Sequence, residues 1–201
     1  MKKLFMIIAL PVCLVVGQDQ PELPGWGVYV GYGMMGATGD DFDPDSMTTL
    51  NAPGFGVSKG VWLGGLPLQV GVGLHPRGFK MESEFGDLTS SNTWNLQYLD
   101  VWAQMPYPVG PVFLAVGLHV GSFIGGKVKS ELSGEFAGFD MSESSELELE
   151  SDALGLDYGL NVGVAYPMGK AQVGVLAVLG LSESDIGATF NGLFFNAGYS
   201  F

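Results

Sequence analysis

Most of what usually guides a functional reading is scarce in this chain. It has one cysteine, at position 13, two histidines, 8 lysines and arginines, and only 14% charged residues in all. Lys2 and Lys3 head the chain, which leaves Lys59, Arg77, Lys80, Lys127, Lys129 and Lys170 as scattered cations against 21 acids. That sign and spacing exclude a nucleic-acid footprint, which needs clustered positive charge. Long hydrophobic runs are also missing: beyond the first residues no window holds the roughly 18 consecutive apolar residues of a membrane helix. If the chain enters a membrane, it does so as strands. Glycine, by contrast, is abundant: 32 of 201 residues, about twice ordinary usage.

The start of the chain explains the lone cysteine. Met1-Lys2-Lys3 precedes an apolar run from Leu4 to Val16, closed by Gly17, the order of charge, greasy stretch and small residue that marks a secretory signal. Val15 and Gly17 supply the −3 and −1 positions for cleavage before Gln18, so residues 1–17 are expected to be removed together with Cys13. The exported chain then has no thiol and no disulfide. A lipobox reading of Leu10-Pro11-Val12-Cys13 is weakened by bulky Val12. Residues 18–25 are expected to form a short periplasmic lead-in, and 26–201 one domain.

Period-two patterning divides that domain into eight segments, at 26–38, 54–64, 67–80, 94–106, 111–129, 153–167, 170–182 and 191–201. Their connections alternate in kind. Gly64-Gly65-Leu66-Pro67, Pro106 to Pro111, and Pro167-Met168-Gly169-Lys170 are tight turns. The others, 39–53, 81–93, 130–152 and 183–190, are long and acidic. Short turns on one rim and long loops on the other predict an antiparallel up-and-down transmembrane β-barrel of eight strands, with turns in the periplasm and acidic loops outside.

Face composition agrees. In the sixth segment Leu154, Leu156, Tyr158, Leu160, Val162, Val164 and Tyr166 alternate with Gly155, Asp157, Gly159, Asn161, Gly163 and Ala165; the fifth and seventh behave alike. A lipid-facing barrel is apolar outside and small or polar inside, and a narrow eight-stranded interior requires glycine opposite any large side chain. Trp26, Tyr98, Tyr107, Tyr166 and Tyr199 are read as interfacial girdle aromatics. Two places resist the pattern. Lys59 falls on the expected lipid face, which suggests a bulge at Gly60 turning it inward, and the first segment is apolar on both faces, leaving its register open.

Several stretches carry a family likeness: Pro53-Gly54-Phe55-Gly56-Val57, Leu68 to Leu74 leading into Arg77-Gly78-Phe79-Lys80, Leu96-Gln97-Tyr98-Leu99-Asp100-Val101, Gly110 to Gly117, and Asp157 to Gly163. Taken in this order, the chain resembles the PorT-like group of outer-membrane β-barrel domain proteins, common in Bacteroidetes and related bacteria. Trp102 stands where that family usually has proline, and Asp100 where it has glutamate. The resemblance implies the barrel fold and an outer-membrane location, and its founding member's association with a secretion machine suggests a link to secretion or envelope assembly. The last strand, ending on Phe201, is similar to the signal that outer-membrane assembly machinery reads.

Inward-facing candidates are Gln69, His75, Arg77, Asp100, Gln104, His119, Asp157, Asn161, Gln172 and Asn196. His75, Arg77, Asp100, His119, Asp157 and Asn161 are expected to form a structural polar network inside the lumen. Two histidines and Asp100 lack a third strong ligand for a metal site. No nucleophile stands beside a base, so neither catalytic residues nor cofactor are expected. Asp41-Phe42-Asp43-Pro44-Asp45 lacks the glycine and distal glutamate of a calcium loop. The expected role is non-enzymatic: a membrane-anchored structural or interaction protein in contact with lipid, lipopolysaccharide and envelope or secretion proteins. The alternative is a narrow channel or small-ligand-binding barrel.

Overall fold

The computed structural model describes residues 25–39, 47–136 and 139–201. The expected signal peptide, most of the lead-in, and Asp41-Phe42-Asp43-Pro44-Asp45 lie outside the described residues. Nine strands follow in order: β1 (Trp26–Thr38), β2 (Met47–Leu63), β3 (Leu66–Phe85), β4 (Leu88–Val109), β5 (Val112–Phe136), β6 (Phe139–Leu149), β7 (Leu156–Met168), β8 (Ala171–Gly180) and β9 (Thr189–Ser200).

All pairings are antiparallel, and eight of the strands close a ring. β1 to β5 pair in sequence, the lower part of β5 pairs with β7, and β8 and β9 lead back to β1, where Gly27 faces Ser200 and Thr38 faces Thr189. β6 is the ninth strand but not a ninth stave. It pairs with the upper part of β5, from Gly126 to Phe136, directly beyond the stretch that β7 occupies. Ring closure leaves no open sheet edge around the wall.

The three short turns form as expected. Gly64 and Gly65 both have positive φ, 59° and 85°, the pair of left-handed conformations that a two-residue hairpin turn matching strand twist requires. All four long connections are shorter than expected: residues 47–53 already belong to β2 and 189–190 to β9. Residues 81–85 and 88–93 continue β3 and β4 to a turn at Gly86-Asp87, and much of 130–152 is the β5–β6 hairpin. Alternation reveals a strand only where one of its faces is apolar; in these extensions neither face is uniformly apolar, and the pairing is carried by backbone ladders that leave no such pattern. Exposed ion pairs reinforce this projection. Lys127 Nζ lies 2.6 Å from Glu146 Oε1, and that hydrogen bond, with a second to Glu148, raises the lysine's pKa.

The wall is apolar outside. Val28, Val30 and Tyr32 on β1, Val116, Leu118 and Val120 on β5, Tyr158, Val162 and Val164 on β7, and Leu193, Phe195 and Tyr199 on β9 are all exposed. This settles the register of β1, whose Gly27, Tyr29, Gly31, Gly33 and Met35 turn inward. Lys59 corrects its expectation. Pairing runs unbroken from Phe55 to Leu63, so there is no bulge at Gly60, and the irregularity lies instead between Thr49 and Phe55. Lys59 is exposed on the outer wall opposite Trp26, with Nζ 5.0 Å from the indole centroid. Sitting at the turn-side rim, it can extend its ammonium to water.

Two other residues are displaced from their expected places. Tyr98 is no girdle residue: it is fully buried in the interior with Phe79, Leu96, Phe123, Leu154, Ala188 and Phe190. Leu154 belongs to that cluster and not to the outer wall, because β7 begins only at Leu156 and the preceding turn folds over the barrel end. The loop-side half of the lumen is therefore a packed apolar core, capped by Leu154 and Ala188.

Candidate functional site

Below that core the strands deliver polar side chains to one level. His75 and Arg77 come from β3, Asp100 from β4, His119 from β5, Asp157 and Asn161 from β7. Arg77, 1% exposed, is the centre. Its Nη2 donates to Asp100 Oδ2 at 3.0 Å and its Nε to Asp157 Oδ2 at 2.8 Å, while Nη1 donates to the Pro76 carbonyl at 3.3 Å. The guanidinium carbon lies 5.5 Å from the Tyr98 ring centroid, beneath the apolar core. A buried guanidinium is tolerable only with such complete pairing.

His75 extends the network on one side. Its Nδ1 is 2.6 Å from Asp100 Oδ2 and its Nε2 3.0 Å from Tyr29 Oη, which accepts from Trp102 Nε1 at 3.2 Å. With a neutral His75, and since indole only donates and carboxylate only accepts, the donor order is Trp102 to Tyr29, Tyr29 to His75, His75 to Asp100. On the other side His119 Nδ1 is 2.9 Å from Asn161 Oδ1, and its Nε2 stands 3.5 Å from Asp157 Oδ2. Ser182 Oγ donates to Asp157 Oδ1 at 3.0 Å.

Glycine makes room for these groups. A Cβ at Gly73 or Gly56 would strike Tyr29 Oη, one at Gly71 the Trp102 ring, and one at Gly121 Asp100 Oδ1; at Gly159 it would come 2.8 Å from His119 Cε1. Tyr29, Trp102, Asp100 and His119 thus each face a residue with no side chain.

The six residues named from sequence meet in one network. Tyr29, Ser58, Trp102 and Ser182 also belong to the interior polar groups, though they were not singled out. Trp102 shares parity with Asp100 and Gln104, and Tyr29 with its flanking glycines, so a signal existed for both. Ser182 shares parity with inward-facing Gln172 in the segment 170–182, so a signal existed there too, although β8 itself ends at Gly180. Among the described residues no group of three His, Cys, Asp or Glu is placed to hold a metal ion.

Beneath the network the lumen is hollow. A cavity of about 470 Å³ runs from His75, Asp100, His119 and Asn161 down to the turn-side rim at Pro106, Lys170, Gln172 and Ser200. Gln104 Nε2 donates to Gln69 Oε1 at 2.9 Å and Gln69 Nε2 to Ser58 Oγ at 3.3 Å along one wall. Gln172 and Asn196 line the cavity too.

The molecule is thus a closed eight-stranded antiparallel β-barrel, apolar outside, sealed by a charged network and an apolar core in one half and open in the other. Its likeness to known proteins is structural. Ail, the attachment invasion locus protein of Yersinia pestis, is 15% identical with a TM-score of 0.45, the match covering 89% of this chain and 99% of that one. Neisserial surface protein A is 13% identical with a TM-score of 0.47 over 90% and 100%. The N-terminal β-barrel domain of OprF of Pseudomonas aeruginosa is 11% identical with a TM-score of 0.35 over 90% and 100%. No family model matches the chain, and no curated protein does.

Proposed function

We propose that this chain is an integral outer-membrane β-barrel without enzymatic activity, acting as a membrane-anchored structural or interaction protein at the cell envelope. One observation carries the reading: the strands present an exposed apolar wall in which Lys59 sits at the turn-side rim over Trp26, whereas Arg77, Asp100 and Asp157 are buried inside. Such an inversion suits a hydrocarbon surrounding and would be costly in water. The orientation follows from the rims. The short turns at Gly64-Gly65, Gly110-Pro111 and Gly169-Lys170 face the periplasm, and the acidic β3–β4 and β5–β6 hairpins face outward, toward lipopolysaccharide and its bridging cations or toward secretion and envelope partners. Removal of residues 1–17 on export, recognition of the strand ending at Phe201 by the assembly machinery, and affiliation with the PorT-like group belong to the same reading.

Membrane-impermeant maleimide tests it in a Cys13→Ser background. Ser144→Cys in β6 should label on intact cells, and Gly64→Cys only after the outer membrane is permeabilised. Labelling of Gly64→Cys on intact cells would reverse the orientation, and release of the protein from envelopes without detergent would remove the membrane claim.

A further inference from the structure

We infer that the hollow half of the barrel is a blind binding pocket for a small neutral polyhydroxylated ligand, of the mono- or disaccharide class, entered from the turn-side rim. The proposal takes the small-ligand alternative to a specific site and chemistry. It rests on the membrane reading only for which compartment the mouth faces.

The lumen is filled unequally, although nothing in barrel geometry demands it. The loop-side half carries Phe79, Leu96, Tyr98, Phe123 and Phe190. On the turn side, the wall made by β5, β7 and β8 carries Ala115, Gly163, Ala165 and Gly174 at its inward positions. A small barrel normally fills its interior with side chains. Small residues at these four positions on three neighbouring strands leave space beside Phe113 and Leu176, and the resulting volume lies in the range of small-molecule sites. From Gln69 to His75 the pocket spans six residues of β3. At about 3.3 Å per residue and a tilt near 40°, that is roughly 15 Å of depth.

The lining selects the chemistry. Ser58, Gln69 and Gln104 form a connected strip of hydroxyl and carboxamide, and Gln172 and Asn196 add amides to the cavity wall. Carboxamides both donate and accept, which matches hydroxyl groups that do the same. Trp102 and Phe194 provide aromatic surface in the same cavity, suited to the C–H face of a sugar ring. Anionic ligands are disfavoured because the cation at the closed end is already committed: all three guanidinium nitrogens of Arg77 donate to Asp100, Asp157 and Pro76. The closed end is also where a ligand is held, since Arg77 and the core above it leave no way through.

Saturation-transfer NMR on the full chain in nanodiscs tests this with D-glucose, N-acetyl-D-glucosamine and maltose as probes and dodecanoate as an acyl comparator. At least one sugar should bind saturably. Gln104→Leu, which keeps volume but removes the amide, should weaken it at least tenfold, as should Ala115→Trp, which fills the pocket. Heat-modifiability on gels reports whether each variant keeps the barrel; if Ala115→Trp does not fold, Gln104→Leu decides alone. Saturable binding by none of the sugars overturns the proposal. So does sugar binding unchanged in Gln104→Leu, or dodecanoate occupying the pocket where the sugars do not. The maleimide experiment reports orientation independently, so either reading can fail without the other.

Discussion

Arg77 on β3 holds two carboxylates from different strands, Asp100 on β4 and Asp157 on β7, and so ties three strands together through the interior. Replacing it by methionine leaves both acids buried without their partner. Arg77→Met should cost about 3–5 kcal/mol, read as a shifted urea unfolding midpoint in phospholipid vesicles. Arg77→Met/Asp100→Asn/Asp157→Asn should recover most of it; a triple variant no better than the single one would show that the pairing is not what Arg77 supplies. At this scale the sequence was informative wherever a charged residue alternates with glycine or alanine, as in Asp157-Tyr158-Gly159 or His119-Val120-Gly121, because only an inward position tolerates both. It put Ser182 on the inward parity but was silent on its partner, since the bond to Asp157 depends on how the chain folds back after β8. It misled on Tyr98: an aromatic near a segment's end reads as a girdle residue until β4 is seen to extend far above it.

The strands carry a second lesson about where alternation can be read. β9 was legible to within two residues and β7 to within three, because outward-facing and lumen-facing positions differ sharply in chemistry. The upper parts of β3, β4 and β5 were not, since neither face is uniformly apolar there. The belt itself makes a positional prediction. Val162 lies midway along β7 on the outer wall, so Val162→Arg should destabilise the barrel by about 2–4 kcal/mol. Lys59→Ala, at the rim, should change stability by no more than roughly 0.5–1 kcal/mol. Unfolding in vesicles of matched thickness measures both; equal effects would show that the wall has no apolar midplane.

For the whole molecule, strand number, alternation of short and long connections and the placing of both ends of the barrel at one rim followed from the spacing of turns and segments. The division of the lumen did not, because it depends on which inward residues from distant strands share a height, and that is fixed by shear and not by period. The sealed half predicts electrical silence. Purified protein in planar bilayers should show no stepwise conductance, since Arg77 and the cluster of Phe79, Leu96, Tyr98, Phe123 and Phe190 occupy the bore; regular single-channel steps would require another path through the lumen.

A tube stoppered at its loop-side end and open at its turn-side end also determines who controls its contents. In the orientation we propose, with the acidic hairpins outside, solutes in the surrounding medium would not reach the hollow directly, and whatever rests there would equilibrate with the compartment behind the membrane. Its occupancy would report the cell's own stores, at a distance of one sealed half-barrel from the surface where other molecules could read it.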